Sequence, residues 1–124
     1  MNNRPSANEL LHKIKEAKKA LDAGQARFAN FTKVVGELYK LRIDDSAEVW
    51  DLISDLLNEI KIDDYEGSHP PQRAYEKAVE GKDLWAFAWN SSTFKKKMYL
   101  KFALKNETFY YVSLHESKYS EENR

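Results

Sequence analysis

Apolar residues recur at helical spacing through the first half of the chain and alternate with polar ones through its last third. Leu10, Ile14, Ala17 and Leu21 share one helical face. Ser6 followed three residues later by Glu9 has the pattern of a capping box, and Gly24 supplies a stop. A second helix is predicted over roughly 30–40 from Phe31, Val34, Val35, Leu38 and Tyr39, with Gly36 inside it and Phe28 just ahead. The third helix carries the longest stripe, Val49, Leu52, Ile53, Leu56, Leu57 and Ile60, after a cap at Asp45–Glu48. Its other face is acidic, with Glu48, Asp51, Asp55 and Glu59.

The pattern breaks over residues 63–83, which hold two prolines and two glycines. Pro70 and Pro71 forbid ordinary helix, so the segment reads as an exposed loop followed by a short helix from Gln72 to Val79. Strict alternation then marks three strands, LWAFAW at 84–89, KMYLKFAL at 97–104 and TFYYVSL at 108–114, separated by the polar turns NSST and KNE. Helices followed by an antiparallel meander define the α+β class, with N-terminal helices packed on one face of a C-terminal sheet. The expected organisation is one domain over 1–124: helices about 6–62, loop and short helix 63–83, sheet 84–115 and a frayed tail at 118–124.

Period 2 also assigns the faces. In the middle strand Met98, Leu100, Phe102 and Leu104 oppose Tyr99, Lys101, Ala103 and Lys105. Burying Lys101 and Lys105 unpaired would cost several kcal/mol each, so the apolar set faces the helices and Tyr99 and Lys101 face outward. In the last strand, Val112 and Leu114 favour placing Tyr110, Val112 and Leu114 in the core. Tyr111 and Ser113 then lie on the open face. The first strand, with Trp85, Phe87 and Trp89 opposing Leu84, Ala86 and Ala88, is expected to be buried on both sides, and Trp50 to pack on the helical layer.

Charge sharpens this picture. The chain is neutral overall, yet residues 1–42 carry nine basic and four acidic groups, residues 43–66 one basic and nine acidic, and residues 84–115 five lysines and one glutamate. A basic face attracts polyanions whatever the total charge. Lysine neutralises phosphate and aromatic rings stack on unpaired bases, so lysines and tyrosines on an open sheet face suit single-stranded nucleic acid. With no cysteine there is no disulfide framework or thiolate metal site. The three histidines fall on separate elements, without metal-ligand spacing, and no Gly-rich phosphate loop or serine elbow occurs. No metal, no cofactor and no small-molecule ligand is expected. The N-terminus lacks the build of a secretory signal and there is no apolar run of membrane-spanning length, so no membrane association and a cytoplasmic location are expected.

Four stretches, IKEAKKALDAGQAR, KVVGELYKLRIDD with VWDLISDLLNEIKIDDY, LWAFAW followed nine residues later by YLKF, and YYVSLHE, resemble in order and approximate spacing the MqsR family of bacterial toxins, which have a RelE-like fold. The likeness is collinear over residues 10–117; the 63–83 segment is longer than the family pattern and its PPQR stretch is foreign to it. The resemblance implies an endoribonuclease that cuts mRNA and is restrained by a cognate antitoxin protein. The family's strand tyrosine and the lysine two positions on match Tyr99 and Lys101. The family's C-terminal lysine falls on His115, its glutamine after the tryptophan falls on Ala86, and its lysine after the third helix falls near Glu66 and Gly67, where this chain has none.

Metal-free RNA cleavage needs a base for the ribose 2′-OH, charge stabilisation at the phosphorane and an acid for the leaving 5′-oxygen. His115 and His69 are the candidate acid–base groups, since histidine exchanges protons near neutrality. Lys101 and Arg73 are the candidate phosphate ligands, Tyr99 a hydrogen-bonding or stacking group, and Lys96, Lys97, Tyr111 and Gln72 candidate RNA-binding residues. The alternative is a non-catalytic module that binds RNA or a protein with the same face; a weaker one is an adaptor whose acidic third helix holds a basic partner.

Overall fold

A computed structural model describes residues 4–117; the tail read as frayed lies outside them. The three helices form where the periodicity places them, and each opens on a side-chain cap. In α1 (Ala7–Asp22) the Ser6 hydroxyl accepts from the Glu9 amide at 3.1 Å. In α2 (Phe31–Lys40) Asn30 accepts from the Lys33 amide at 3.3 Å, and in α3 (Ser46–Glu59) Asp45 accepts from the Ala47 amide at 2.9 Å. Each bond satisfies an amide that the first helical turn leaves without a partner. Gly24, at φ 73°, turns the chain out of α1. The inward stripes, Leu10, Ile14 and Ala17 of α1, Val34 and Leu38 of α2, and Val49, Ile53, Leu56 and Leu57 of α3, are buried.

The sheet has four strands in the order β1-β4-β3-β2, where β1 is Ala26–Phe28, β2 Trp85–Ser91, β3 Lys96–Lys105 and β4 Thr108–Glu116. β2, β3 and β4 form the expected antiparallel meander. β1 corrects the expectation of a purely antiparallel sheet: it pairs parallel with β4, Ala26 opposite Phe109 and Phe28 opposite Tyr111. Three residues are too few to show a period, so this strand has no signature of its own. Its Phe28 ring fixes it in place, 5.0 Å from Phe31, 4.8 Å from Trp50 and 5.2 Å from Tyr111. Trp50 thereby joins the helix–sheet layer.

Trp85, Phe87 and Trp89 all face the helices, and Leu84 and Ala86 behind them are buried as well, so β2 is covered on both sides. β4 departs from simple alternation. Lys101 pairs with Ser113, but Phe102 pairs with Tyr111, so Val112 is an extra residue in a bulge. A bulge of one residue swaps the faces of everything beyond it. Phe109, Tyr111 and Leu114 are therefore the core residues, and Tyr111 is fully buried rather than on the open face. Tyr110 and Val112 point outward, into a second apolar cluster.

That cluster is built by the 63–83 segment. The expected helix from Gln72 to Val79 is absent. Instead the Ala74 amide donates to Lys82 O and the Leu84 amide to Gln72 O, making a narrow extended loop, and only Lys77–Val79 forms a 3₁₀ turn. Pro70 and Pro71 ahead of it favour extended backbone, and the loop gains its stability from tertiary burial. Ala74, Val79 and Leu84 pack over Ala103 of β3 with Tyr110 and Val112 alongside. Lys105 reaches the Ala78 carbonyl at 3.0 Å. One end of the outer sheet face is thus covered by this strap, and the other is open.

α3 is pinned to the β2–β3 turn by its last residue. Glu59 accepts from Trp89 Nε1 (2.8 Å), Ser92 Oγ (2.9 Å), the Thr93 amide (3.0 Å) and Thr93 Oγ1 (2.6 Å). Partial burial works to raise its pKa, but the bonds from Thr93 and Trp89 outweigh that and hold the carboxyl at about 2, below its usual 4.5. A depressed native pKa means that the native state favours the charged form. The stabilisation is complete above pH 4.5 and is lost as the pH falls towards about 2. Glu59→Ala is expected to lower stability at pH 7 by about 1–2 kcal/mol in urea denaturation. The gap from wild type should close as the pH falls through that window; a gap independent of pH would mean that the carboxylate's charge is not what holds the turn.

Candidate nucleic-acid interface

The β3–β4 register sets the outer face in rows. Tyr99 lies opposite His115 on one side and Ala88 on the other; Lys101 lies opposite Ser113 and Ala86. Because the bulge falls beyond Ser113, Tyr99, Lys101, Ser113 and His115 all point away from the helices. The Tyr99 and His115 rings stack with centroids 5.0 Å apart and planes 23° apart. His115 Nδ1 lies 2.8 Å from the Glu116 carbonyl oxygen. A carbonyl only accepts, so Nδ1 is the donor, and in the neutral ring that tautomer puts the lone pair on Nε2. Lys101 is half-buried, and its ammonium makes no hydrogen bond or ion pair with any described residue. Its ammonium is held on the sheet by its stem alone.

α2 forms one wall of this face, and Glu37 joins it to the sheet. β1 pairs with β4 only as far as Tyr111, whose carbonyl takes the Ala29 amide at 2.9 Å. Beyond that point β4 has an open edge. The Glu37 carboxylate fills it, accepting from the Leu114 amide at 2.8 Å, Tyr111 Oη at 2.9 Å and Ser113 Oγ at 2.6 Å. Burial, and then the Glu37 charge, push the Tyr111 hydroxyl well above its ordinary pKa, so it stays a neutral donor. Sequence reading passed over Glu37. Its signal was an acid set between Val34 and Leu38 on the inward side of a helix.

Two depressions lie along this wall. One, of about 210 Å³, is bordered by Lys33 and Glu37 of α2, Gln72 and Tyr75 of the strap, and Lys101 and Ser113 of the sheet. The other, of about 450 Å³, lies by Lys40, Lys96, His115 and Glu116 and shares Glu37 with the first. Together they make a groove along β4 that carries four lysines. Lys33 is bound to Glu76 at 3.2 Å and Lys96 to Glu116 at 3.6 Å. The bond and charge of Glu76 raise the Lys33 pKa, keeping it cationic.

Tyr99, Lys101 and His115 are brought together, Gln72 and Lys96 border the same groove, and Lys97 alternates onto the Tyr99 side of β3 opposite Asn90. The remaining candidates lie elsewhere. Tyr111 is in the core. Arg73 bonds Asp83 at 3.1 Å and the Gly81 carbonyl at 3.1 Å, which closes the strap on itself. His69 stacks on Tyr65, and Tyr65 bridges Phe87 on the free side of β2. β2 and β3 therefore lie between the Tyr65 bridge and the β4 strand that carries His115. His69 is thus stacked on Tyr65 beside β2, whereas His115 is stacked on Tyr99.

No family model, curated protein or solved structure matches the chain. Among the described residues no helix is long and apolar enough to cross a membrane, and no cluster of three or more His, Asp or Glu side chains could hold a metal ion.

Replacing Glu37 by Ala leaves the Tyr111 hydroxyl and the Leu114 amide without their acceptor. The expected cost is about 2–3 kcal/mol in denaturant unfolding, with faster hydrogen exchange at Leu114. Unchanged exchange at that amide would show that the edge does not depend on the carboxylate.

Proposed function

We propose that this chain is an endoribonuclease that cuts single-stranded mRNA without a metal, and that it is the toxin of a toxin–antitoxin pair with a RelE-like fold. The observation that carries this reading is the convergence of Tyr99, Lys101 and His115 on the open sheet face, with Lys101 and His115 each bordering one of the two lysine-bearing depressions. The resemblance to MqsR toxins supports the same residues. In this reading His115 Nε2 takes the proton of the ribose 2′-OH. The 2′-oxygen forms a bond to phosphorus, and the bond from phosphorus to the 5′-oxygen breaks. The Lys101 ammonium faces the charge on the phosphorane oxygens and supplies a proton to the leaving 5′-oxygen. The Tyr99 ring orients the imidazole from beneath. The products are a 2′,3′-cyclic phosphate and a free 5′-OH.

The engagement of His69 with Tyr65 and of Arg73 with Asp83 favours a second reading, a module that binds RNA on this face without cutting it. Both readings are separated by one assay. Incubated with single-stranded RNA in EDTA, the protein is expected to give cyclic-phosphate ends, and His115→Ala and Lys101→Ala should each lower kcat by about 10²–10⁴-fold with unchanged unfolding midpoints. RNA bound but left intact by wild type would support the module; cleavage that survives both substitutions would sink the assignment of the site. Growth arrest on induction, relieved by the double variant and by a neighbouring antitoxin, is the corresponding result in cells.

A further inference from the structure

We infer that the smaller depression beside Lys101 is a pocket for one unpaired nucleobase, roofed by Tyr75 of the strap. The inference rests on the RNA-binding reading above and adds a site to it. A nucleobase has flat apolar faces and a polar edge, and the cavity has the matching layout. Its floor is apolar, made by Val34 of α2, Leu84 at the start of β2 and Val112 of the β4 bulge. Its sides offer amides: Gln72 from the strap, and Asn30, whose Oδ1 takes the Lys33 amide and whose NH₂ is thereby left to donate outward. Tyr75 stands at the mouth with 72% of its surface exposed, which is unusual for a large aromatic with no structural duty on the sheet. Lys33 lies 5.1 Å from the centre of its ring and bonds Glu76, so α2 holds the strap's ring over the cavity.

Size narrows the ligand. At about 210 Å³ the space is smaller than the roughly 300–1,000 Å³ of drug-sized sites, and takes a single base rather than two. Lys101, whose ammonium has no partner among the described residues, also lines the space and would meet a base's own phosphate. The bulge is what makes the floor. Without the extra residue Val112 would not lie beside Ser113 on the outer face, and the floor would lose that side chain.

The test uses the full chain and uncleavable 2′-O-methyl octamers of each of the four bases, beside an abasic octamer with the same number of phosphates, read by fluorescence anisotropy. The octamer of the preferred base is expected to bind roughly tenfold more tightly than the abasic one, as stacking of a base on an aromatic ring provides. Tyr75→Ala, at an exposed ring, should bring it down to the abasic value, while Lys101→Ala weakens all five alike. Equal binding of all octamers, abasic included, would overturn the pocket and leave the RNA groove standing. A base preference untouched by Tyr75→Ala would overturn it too, by placing recognition elsewhere. Failure of every octamer to bind would overturn both the pocket and the RNA reading.

Discussion

One carboxylate, Glu37, ties the helical half of the molecule to the outer face of the sheet. A four-stranded sheet whose first strand is three residues long leaves most of the neighbouring edge of β4 unpaired. Unpaired edge amides cost free energy when buried and invite other strands when exposed. Glu37 answers the first problem at Leu114, and the body of α2 blocks the second. The same carboxylate takes the hydroxyl of Tyr111 from the core and that of Ser113 from the outer face, so it binds β4 on both sides of the bulge. The position of α2 therefore fixes the wall of the groove, and the bulge is held in a geometry that turns Ser113 and His115 outward.

The strap plays the complementary part. An outer sheet face bearing Ala86, Ala103, Tyr110 and Val112 is too apolar to leave wholly in water, and residues 72–84 cover its apolar end with Ala74, Val79 and Leu84. What remains uncovered is the end that carries Lys101, Tyr99 and His115. The sheet is thus divided by packing into a sealed half and an open half, with the depression at the boundary between them. Glu59 does similar work at the far end of β2, where its four hydrogen bonds fix α3 against the β2–β3 turn.

Net neutrality conceals a charge separation that follows the fold. The acidic positions Asp51 and Asp55 of α3 are exposed on the helical side, whereas β3 and α2 contribute Lys33, Lys40, Lys96 and Lys101 to one groove. Glu76 and Glu116 temper this by pairing with Lys33 and Lys96. The net field along the groove is therefore modest, and Lys40 and Lys101 are the groove lysines whose ammonium groups have no described partner. An RNA held here would be gripped by a few short-range contacts rather than by a strong polyelectrolyte field, and stacking surfaces such as Tyr99 and Tyr75 carry correspondingly more weight.

Two of the three caps, the three helical stripes and the three alternating strands were legible in the sequence, because each is a local pattern that follows from its own residues; the Asn30 cap was not read. The outward turn of Tyr99 and Lys101 was legible for the same reason: an unpaired lysine in the core is too costly. β1 was not legible, since three residues show no period, and the strap was misread because its stability comes from Ala103 and Val112, far away in the chain. Tyr111 was misplaced because a bulge is a property of a strand pair. Alternation within β4 alone reads on past Val112, and only its register against β3 shows that one residue has no partner. The stacking of His69 on Tyr65 beside β2, and of His115 on Tyr99, was likewise decided by which edges pair. Sequence by itself determined the elements and the chemistry available to them; tertiary structure decided which of those groups meet, because hydrogen-bond register and edge pairing are relations between segments that no single segment encodes.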